Sequence, residues 1–425
     1  MGMYQMPTAN ADPSKGSFRL SMLLNDTRYR STTIQVIALI AFMVAAVWLI
    51  NNVRVNLALA GKPFEFGFLW EASDYDINQK LLEYNSQSTH MRAAVIGLLN
   101  TLLVAVMGCA LATFIGVFVG VLRLSKNWII SRLALVYVET FRNVPVLLWI
   151  SLAVVAFSHT LPSPKDFRGE NATASMSLFD SVAITNRGVY LPEPLFSSGL
   201  GDLPVFWNSF EISLDLIAIL CVFISGILLS KLIKYRATNI QNATGVRPTT
   251  WYWSLAAIFL PTLIVLYILG FYLGYPEIKG FNFKGGIHMR SSLLALWLAL
   301  SLYTGAFIAE IVRAGILAIS KGQTEAAESL GLRSKRIMGL VVLPQAMRVI
   351  VPPLISQYLN LTKNSSLAVV AGYMDITQTL GGVTMNQTGR EMESILLLMM
   401  CYLIISLIIS GVMNVYNERT KLKER

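Results

Sequence analysis

The sequence predicts an all-α membrane protein with about eight transmembrane helices. Of its 425 residues, 54% are hydrophobic and only 14% are charged, whereas soluble proteins carry about 25% charged residues. The apolar residues fall in long continuous runs rather than at the spacing of an amphipathic surface helix. A helix needs about 20 mostly apolar residues to cross a hydrocarbon core of about 30 Å, and eight runs approach or exceed this length.

The eight predicted spans follow one another along nearly the whole chain. They cover residues 33–50, 95–122, 133–158, 208–230, 251–274, 292–312, 347–371 and 394–415. Three of the segments between them are long, at 51–94, 159–207 and 275–291, and they contain turn residues such as Pro162 and Pro192. None of these segments is long enough to form an independent catalytic domain.

The distribution of basic residues predicts that both ends of the chain lie in the cytoplasm. An even number of spans places both termini on the same side of the membrane. That side carries 22 of the 34 Lys and Arg residues, in the two tails and around 123–142, 231–247 and 313–348. The opposite side carries 11 of them, together with most of the acidic residues. Loops rich in Lys and Arg remain cytoplasmic.

The formal net charge of +10 does not indicate nucleic-acid binding, because the basic residues lie in short loops between apolar runs. The three cysteines lie inside those runs, without the spacing of metal ligands or an evident disulfide partner. The three histidines are scattered near the predicted outer ends of spans. We therefore predict no metal site, no catalytic site and no nucleic-acid partner.

The connection between the sixth and seventh predicted spans is the most informative stretch. Residues 323–331 read Gln-Thr-Glu-Ala-Ala-Glu-Ser-Leu-Gly and predict a short helix with acidic side chains in its first turn, where they suit the helix dipole. Gly331 stands where a left-handed residue would end that helix. Pro344 and the pair at 352–353 then direct the chain back into the membrane. On these grounds alone, a solvated helix that merely joins two spans is an equally good interpretation.

A longer pattern in this connection resembles a known family. The triplet Glu-Ala-Ala at 325–327 is followed after three residues by Gly331, and after nine more by Val-Val-Leu-Pro at 341–344. This pattern resembles the coupling loop of ABC importer permeases, with Val341 where isoleucine is usual. The continuation Pro-Gln-Ala-Met-Arg at 344–348 resembles the polar amino-acid branch of that family.

Other segments support the same resemblance. They are Tyr-Val-Glu-Thr-Phe-Arg-Asn-Val-Pro at 137–145, Ala-Glu-Ile-Val-Arg-Ala-Gly-Ile at 309–316 and Lys-Asn-Ser-Ser-Leu at 363–367. A narrower resemblance is to the larger (Q-type) permease subunit of general L-amino-acid transporters. It is carried by Gly-Phe-Leu at 67–69, Tyr-Asp-Ile at 75–77 and Gly-Leu-Leu-Asn-Thr at 97–101. The resemblance covers most of the chain from about residue 30.

The resemblance implies a five-helix type I importer core, formed here by the second, third, sixth, seventh and eighth spans. Before the core, the expected segments are a cytoplasmic tail at 1–30 and a first span with a periplasmic segment at 31–90. The first part of the core is expected at 91–158, followed by an insertion with an extra helix pair at 159–290. The second part of the core, at 291–415, contains the coupling loop at 320–346 and is followed by a cytoplasmic tail at 416–425. The inserted pair of spans preserves the orientation of the helices that follow.

The resemblance also implies the function and the partners. The chain is expected to move polar or general L-amino acids across the bacterial inner membrane. Its implied partners are an ATPase subunit dimer, a second permease that is a paralogue or an identical copy, a periplasmic solute-binding protein, the amino-acid substrate and bilayer lipid. The chain contains no Gly-x-x-x-x-Gly-Lys-Ser/Thr loop. It is therefore expected to be no enzyme and to hold no cofactor, with ATP and Mg²⁺ bound by the ATPase.

In this family the loop helix docks in a groove of the ATPase, whose closure rocks the spans between inward and outward access. The residues expected to act in this coupling are Glu325, Ala326, Ala327, Gly331, Pro344 and Arg348. The two alanines permit close approach, and Gly331 sets the turn. Glu325 caps the helix or meets a basic residue of the ATPase, and Arg348 anchors the re-entering helix.

Charged residues within the spans are candidates for the substrate pathway, because they are costly in a membrane and usually face a partner or a cavity. The candidates are Glu310, Lys363 and Asn364. Structural alternatives stay open: Glu310 pairs with Arg313 one turn later, and Lys363 extends to the interface or bonds a neighbouring helix. Glu139 and Arg142 have the same one-turn spacing and are predicted to form a structural ion pair.

Other classes of function are less well supported. The intramembrane charges would also suit an ATP-independent secondary transporter or channel, but the chain lacks an evident inverted repeat and carries the coupling-loop pattern. A membrane sensor or scaffold would carry a sizeable soluble signalling domain. A membrane-bound enzyme would need a constellation of catalytic residues, which the sequence does not suggest.

Overall fold

The structure is a computed structural model that describes residue 24 and residues 27–169, 172–205 and 210–420. Within these residues, eight helical segments are long and apolar enough to cross a membrane, as the sequence predicts. The chain divides into two compact units, one ending at Phe66 and one beginning at Gly67. The predicted tail at 1–30, apart from Leu24 and 27–30, lies outside the described residues, as does 421–425 of the C-terminal tail.

The described part of the first unit is dominated by one long helix, α1 (Thr27–Leu59). Its 33 residues rise about 50 Å, which exceeds the hydrocarbon core of about 30 Å. Large apolar side chains are exposed on every side of it, including Phe42 and Trp48. A helix that is apolar all round is suited to contact with lipid. A left-handed Gly61 (φ 72°) follows its end.

The second unit contains the other seven candidate spans and several short helices. Its helices are α2 (His90–Leu122), α3 (Trp128–Asn143), α4 (Val146–Thr160), α5 (Leu214–Thr244), α6 (Trp251–Ile268), α7 (Ser291–Leu317), α8 (Lys321–Ser329), α9 (Ser334–Ile337), α10 (Leu343–Asn364), α11 (Ala368–Ala371), α12 (Ile376–Gln378), α13 (Met385–Thr388) and α14 (Glu391–Thr420). A π-helical turn at Met338–Val342 precedes α10, and a second one at Thr379–Thr384 joins α12 to α13.

α2 and α7 pack side by side and form the centre of this unit. A Cβ at Gly116 of α2 would lie 2.5 Å from the Cβ of Ile308, and a Cβ at Gly120 would lie 2.8 Å from the carbonyl oxygen of Ala309. Only glycine permits this approach, which is a common device for packing helices within a membrane. In the most apolar window of α7, 67% of the residues are buried, so α7 is the central helix.

The third predicted span, 133–158, is wrong as a single helix. α3 ends at Asn143 and α4 begins at Val146, because Pro145 lacks a backbone N–H and holds Val144 in an extended conformation. The candidate span begins at Val146, in α4, and excludes α3. The hydroxyl of Tyr137 donates to the carbonyl oxygen of Leu302 at 2.6 Å, which ties α3 to α7.

The predicted ion pair between Glu139 and Arg142 is also wrong. Oε2 of Glu139 accepts a hydrogen bond from Nδ2 of Asn143 at 3.2 Å. The guanidinium of Arg142 lies 5.4 Å from the centroid of the Phe307 ring, within the range of a cation–π contact. The two residues are one helical turn apart, but their side chains contact different neighbours.

α5 and α6 form a hairpin of their own. A Cβ at Gly226 would lie 2.6 Å from the carbonyl oxygen of Ala257, so glycine permits the close approach. α5 continues to Thr244, past the predicted end of the fourth span at 230, and its predicted start at 208 lies outside the described residues. α6 ends at Ile268, because the chain turns at a left-handed Gly270 (φ 64°) into a strand.

Short strands, which the sequence did not predict, occupy the segments after α4 and α6. They are β1 (Ala183–Thr185), β2 (Gly188–Leu191), β3 (Glu193–Phe196), β4 (Asp202–Val205), β5 (Phe210–Ser213), β6 (Phe271–Gly274), β7 (Glu277–Lys279), β8 (Asn282–Lys284) and β9 (Ile287–Arg290). β1, β2 and β9 form an antiparallel sheet, and β3–β6, β4–β5 and β7–β8 are antiparallel pairs. The ring of Tyr190 stacks on His288 with centroids 4.1 Å apart, which joins the two halves of the insertion.

Candidate functional site

The connection from α7 to α10 folds around a small core of its own. Ala327, Ile337 and Val342 are buried there against half-buried aliphatic neighbours. The amide of Gly331 donates to the carbonyl of Glu328 at 2.9 Å, and the amide of Leu332 donates to that of Ala327 at 3.3 Å. These two bonds form a Schellman motif. The predicted left-handed conformation of Gly331 is confirmed, with φ at 75°.

The start of α8 differs from the prediction. The helix begins at Lys321, so Glu325 lies in its second turn, and the first turn contains no acidic residue. The predicted contact of acids with the N-terminal end of the helix dipole is therefore wrong. Ser320 precedes the helix and Gln323 follows three residues later, a spacing typical of a capping box. This pattern would have placed the start correctly.

α8 presents one face inward and one outward. Ala327 is 5% exposed and packs on the core of the connection, so its small size is required within this chain. Glu325 and Ala326 are exposed on the other side. Leu330, at the end of the helix, is 80% exposed. Sequence reasoning did not single out Leu330, although a leucine among polar residues at the end of a loop helix is visible in the sequence.

Pro344 and Arg348 lie in the first two turns of α10. Pro344 occupies the first turn, where a missing N–H costs little, and Nε2 of Gln345 donates to Oε1 of Gln323 at 3.4 Å. Nε and Nη2 of Arg348 are buried, and neither has a hydrogen-bond partner among the described residues. Buried donors are normally satisfied, so these two nitrogens are an exception among the described residues.

Glu310 is held by two arginines at the end of α7 that is nearest α8. Oε1 of Glu310 accepts from Nη2 of Arg313 at 2.6 Å, and Oε2 contacts Nη1 of Arg123, which follows α2. The side chains of Glu310 and Arg123 are only 26% and 11% exposed. The structure thus contains the predicted ion pair between Glu310 and Arg313 and shows a second one with Arg123. Arg123 is far from Glu310 in sequence, so the sequence alone did not indicate this second pair. This ion-pair cluster joins α2 to α7.

Lys363 lies close to the middle of the membrane-spanning region. Two residues earlier, Leu361 packs against Gly108, which is near the midpoint of α2. The side chain of Lys363 is exposed in this chain, and the described residues offer its ammonium no hydrogen bond or ion pair. Asn364 beside it is half-buried. An unpaired ammonium at this depth is costly unless it meets a partner or water.

Asp375 lies between the last two candidate spans, in a segment that sequence reasoning did not single out. Its Oδ1 accepts from the amide of Gln378 at 3.0 Å, and its Oδ2 accepts from the hydroxyl of Tyr402 at 3.2 Å. A Cβ at Gly97 would meet the carbonyl oxygen of Asp375 at 3.0 Å, so this segment sits directly on α2. Asp375 therefore connects α12, α14 and α2.

The Asp375→Asn variant is expected to alter the pH dependence of stability. Burial raises the pKa of the Asp375 carboxyl to about 6, above about 3.9 in the unfolded chain. The neutral carboxyl therefore stabilises the folded state fully below pH 4. This contribution to the free energy of unfolding, roughly 3 kcal/mol, is lost as the pH rises through 6. Thermal unfolding of the detergent-solubilised protein between pH 4 and 7 measures it. Equal pH profiles for the wild type and Asp375→Asn would contradict the expectation.

The chain has relatives along its whole length. Residues 250–422 match a family model described as "Binding-protein-dependent transport system inner membrane component". The glutamate/glutamine/aspartate/asparagine transport system permease protein BztB of Rhodobacter capsulatus is 56% identical, over 98% of this chain and 99% of its own length. The general L-amino acid transport system permease protein AapQ of Rhizobium johnstonii is 40% identical, over 96% of each chain. The putative amino-acid ABC transporter permease protein YhdX of Escherichia coli is 40% identical, over 93% of this chain and 95% of its own.

Proposed function

This chain belongs to the permease subunits of amino-acid ABC importers, and we propose that it carries acidic amino acids and their amides into the cell. Membership follows from relatives that match it almost from end to end. The proposed substrate class rests on BztB, whose name gives glutamate, glutamine, aspartate and asparagine. The chain is a multi-pass protein of the bacterial inner membrane.

The proposed assembly contains a second permease, two ATPase subunits and a periplasmic solute-binding protein. Both termini of this chain lie in the cytoplasm, as the concentration of Lys and Arg in the tails and three connections suggests. This orientation puts α8 on the cytoplasmic side, where an ATPase would meet it. It puts the strands of the insertion on the periplasmic side.

The proposal that an ATPase drives this permease rests on the outward face of α8. Ala326 and Leu330 are exposed, and Leu330 is an apolar side chain left 80% uncovered. The inward face of the same helix is fixed by Ala327, and the following turn is fixed by Gly331. A rigid helix with an uncovered leucine is suited to insertion into a groove of a partner. Glu325 and Arg348 supply charges for the rim of that contact.

Lys363 is proposed to face the substrate pathway. It is an exposed ammonium near the level of the α2 midpoint, and its charge suits the carboxylates of an acidic amino acid. Asn364 beside it offers both a donor and an acceptor. Glu310 is a weaker candidate, because two guanidinium groups already occupy its carboxylate.

The Lys363→Met variant is expected to lower glutamate uptake about tenfold or more without reducing the amount of assembled transporter. The loss of one charge-assisted contact accounts for that factor. Removing an intramembrane ammonium also relieves a cost of about 2.5–3.5 kcal/mol, so thermal stability should be unchanged or higher. Lys279→Met, at an exposed residue of β7, is the control. Full uptake by Lys363→Met would remove Lys363 from the pathway.

The proposed function is tested by purifying this subunit from native membranes in mild detergent and identifying the proteins that accompany it. We expect an ATPase and a second permease. Reconstitution of that complex in liposomes, with binding protein outside and ATP inside, should give glutamate uptake that stops without ATP. A preparation of this chain alone that still transports without ATP would instead favour a secondary transporter.

A further inference from the structure

A groove lies beside the start of α2, on the face that the proposed orientation places in the periplasm. It encloses about 400 Å³, and its lining includes Trp70, Leu82, Gln87, Ser88, Met91 and Arg92. The side chain of Trp70 stands at its edge, with the residue 71% exposed. Tryptophan and arginine are the residues most enriched among the energetically dominant contacts of protein interfaces.

Buried side chains and hydrogen bonds fix the residues that line this groove. Phe68 and Leu69, which precede Trp70 in the same helical turn, are both 5% exposed. The hydroxyls of Ser73 and Tyr84 lie 2.6 Å apart in the buried interior. Nε of Arg92 donates to the carbonyl oxygen of Glu83 at 2.8 Å, which positions the guanidinium at the groove. A surface that is ordered before binding loses less entropy when a partner docks.

The groove lies beyond the level at which α7 begins. Ser301 of α7 bonds the carbonyl of Gly108, and Ile308 lies against Gly116, so the two helices run parallel with a constant offset. By this offset, α7 begins at Ser291 opposite residue 98 or 99 of α2, and Arg92 lies about 10 Å farther along the helix axis. Arg92 and the groove that it lines therefore lie at the outer end of α2 in the proposed orientation.

The segment at 70–92, which supplies most of the groove lining, is mainly acidic. Its exposed carboxylates belong to Glu71, Asp74, Asp76 and Glu83. Against these four stand the cations Lys80 and Arg92, and the side chain of Lys80 already bonds Asp76 at 3.4 Å. A partner that covers Trp70 is therefore best matched by an apolar side chain surrounded by lysine or arginine. In the proposed orientation, such a partner reaches the groove from the periplasm.

We propose that this groove is a docking site for the periplasmic solute-binding protein, an inference that rests on the proposed function. An apolar side chain of the binding protein enters beside Trp70, and its basic rim meets the four carboxylates. Arg92 donates hydrogen bonds from its terminal nitrogens to a carbonyl or carboxylate oxygen of the partner. The contact holds the binding protein over the outer end of α2, where the substrate is delivered.

The test measures ATP hydrolysis by the purified transporter in nanodiscs as glutamate-loaded binding protein is added. Trp70→Ala should raise the concentration that gives half-maximal stimulation about tenfold or more, because truncation of a central interface tryptophan typically costs that much. Arg92→Gln should raise it by a smaller factor. Hydrolysis without binding protein should be unchanged. Trp128→Ala is the matched control, since Trp128 is 70% exposed at the start of α3 and should behave as wild type.

The outcomes separate the docking site from the function on which it rests. A wild-type complex that the binding protein does not stimulate would contradict the proposed function. Normal stimulation of both Trp70→Ala and Trp128→Ala would overturn the docking site alone. If Trp70→Ala fails to assemble, a photo-crosslinking amino acid at the exposed Gln87 decides: capture of the binding protein supports the site, and capture of lipid or the second permease overturns it.

Discussion

Replacing Leu330 with aspartate is expected to lower ATP-driven amino-acid uptake at least about 100-fold. Leu330 is 80% exposed and is the apolar tip of α8 that we propose to enter the ATPase. Burial of a leucine contributes about 1.5–3 kcal/mol, and an unpaired charge in an interface costs about 2–5 kcal/mol more. With a factor of ten for each 1.4 kcal/mol, the sum exceeds two orders of magnitude. Uptake into right-side-out vesicles at matched permease amounts measures the effect.

Two variants are controls for this prediction: the same Leu→Asp substitution at another exposed leucine, and a conservative substitution at Leu330. Leu59, at the end of α1, is also 80% exposed, and Leu59→Asp lies on the opposite side of the membrane in the proposed orientation. It should leave ATPase copurification intact. Leu330→Met conserves volume and should retain most uptake. Copurification of the ATPase at wild-type levels with Leu330→Asp would show that this face of α8 is not the contact.

The spans were predictable because each is specified by its own residues. An apolar run of the right length has few alternatives to a membrane helix, since its backbone groups must be satisfied internally. Where the prediction of a helix boundary failed, the hydrophobicity of the run had been given more weight than a local signal such as a proline or a helix cap. Pro145 splits the third run into α3 and α4, although the effect of proline on the preceding residue is a sequence-level rule. Ser320 and Gln323 likewise marked the true start of α8.

The strands and the ion-pair cluster were not predictable, because they depend on residues far apart in the chain. β2 pairs with β9 so that Tyr190 lies opposite His288, with two membrane helices between them in sequence. Strands of three or four residues carry too little periodicity to be recognised alone. Arg123 and Glu310 meet only because glycines bring α2 and α7 together. The sequence indicated the charge at Glu310 and its nearer partner, but not the second arginine.

The connection at 320–346, which we propose to be the coupling loop, was predictable only in part. Gly331 and the inward Ala327 act through contacts within about fifteen residues, and the Gly331 turn was correctly predicted. The division of α8 into inward and outward faces needed the structure, because Ile337 and Val342 decide which alanine is covered. Ala326 and Leu330 then emerge as the uncovered side. The face that we propose to meet the ATPase is therefore the part of the loop that its own core leaves uncovered.

The Glu310→Gln variant is expected to destabilise the permease by about 3 kcal/mol, the lower end of the cost of removing one member of a buried ion pair. The carboxylate separates the guanidiniums of Arg123 and Arg313. A neutral amide would leave two like charges in a site where Arg123 is only 11% exposed. Because the unfolding entropy grows with chain length, the midpoint of thermal unfolding of this 425-residue chain in detergent should fall by roughly 3 °C.

A double variant decides whether this effect arises from the cluster itself. Glu310→Gln combined with Arg123→Gln removes the repulsion that Glu310→Gln creates, so it should be more stable than the single variant. Arg313→Gln should cost less than Glu310→Gln, because the contact between Arg123 and Glu310 survives. If the double variant regains both stability and glutamate uptake, Glu310 joins α2 to α7 and does not contact substrate. Regained stability with uptake still lost would return the carboxylate to the substrate pathway.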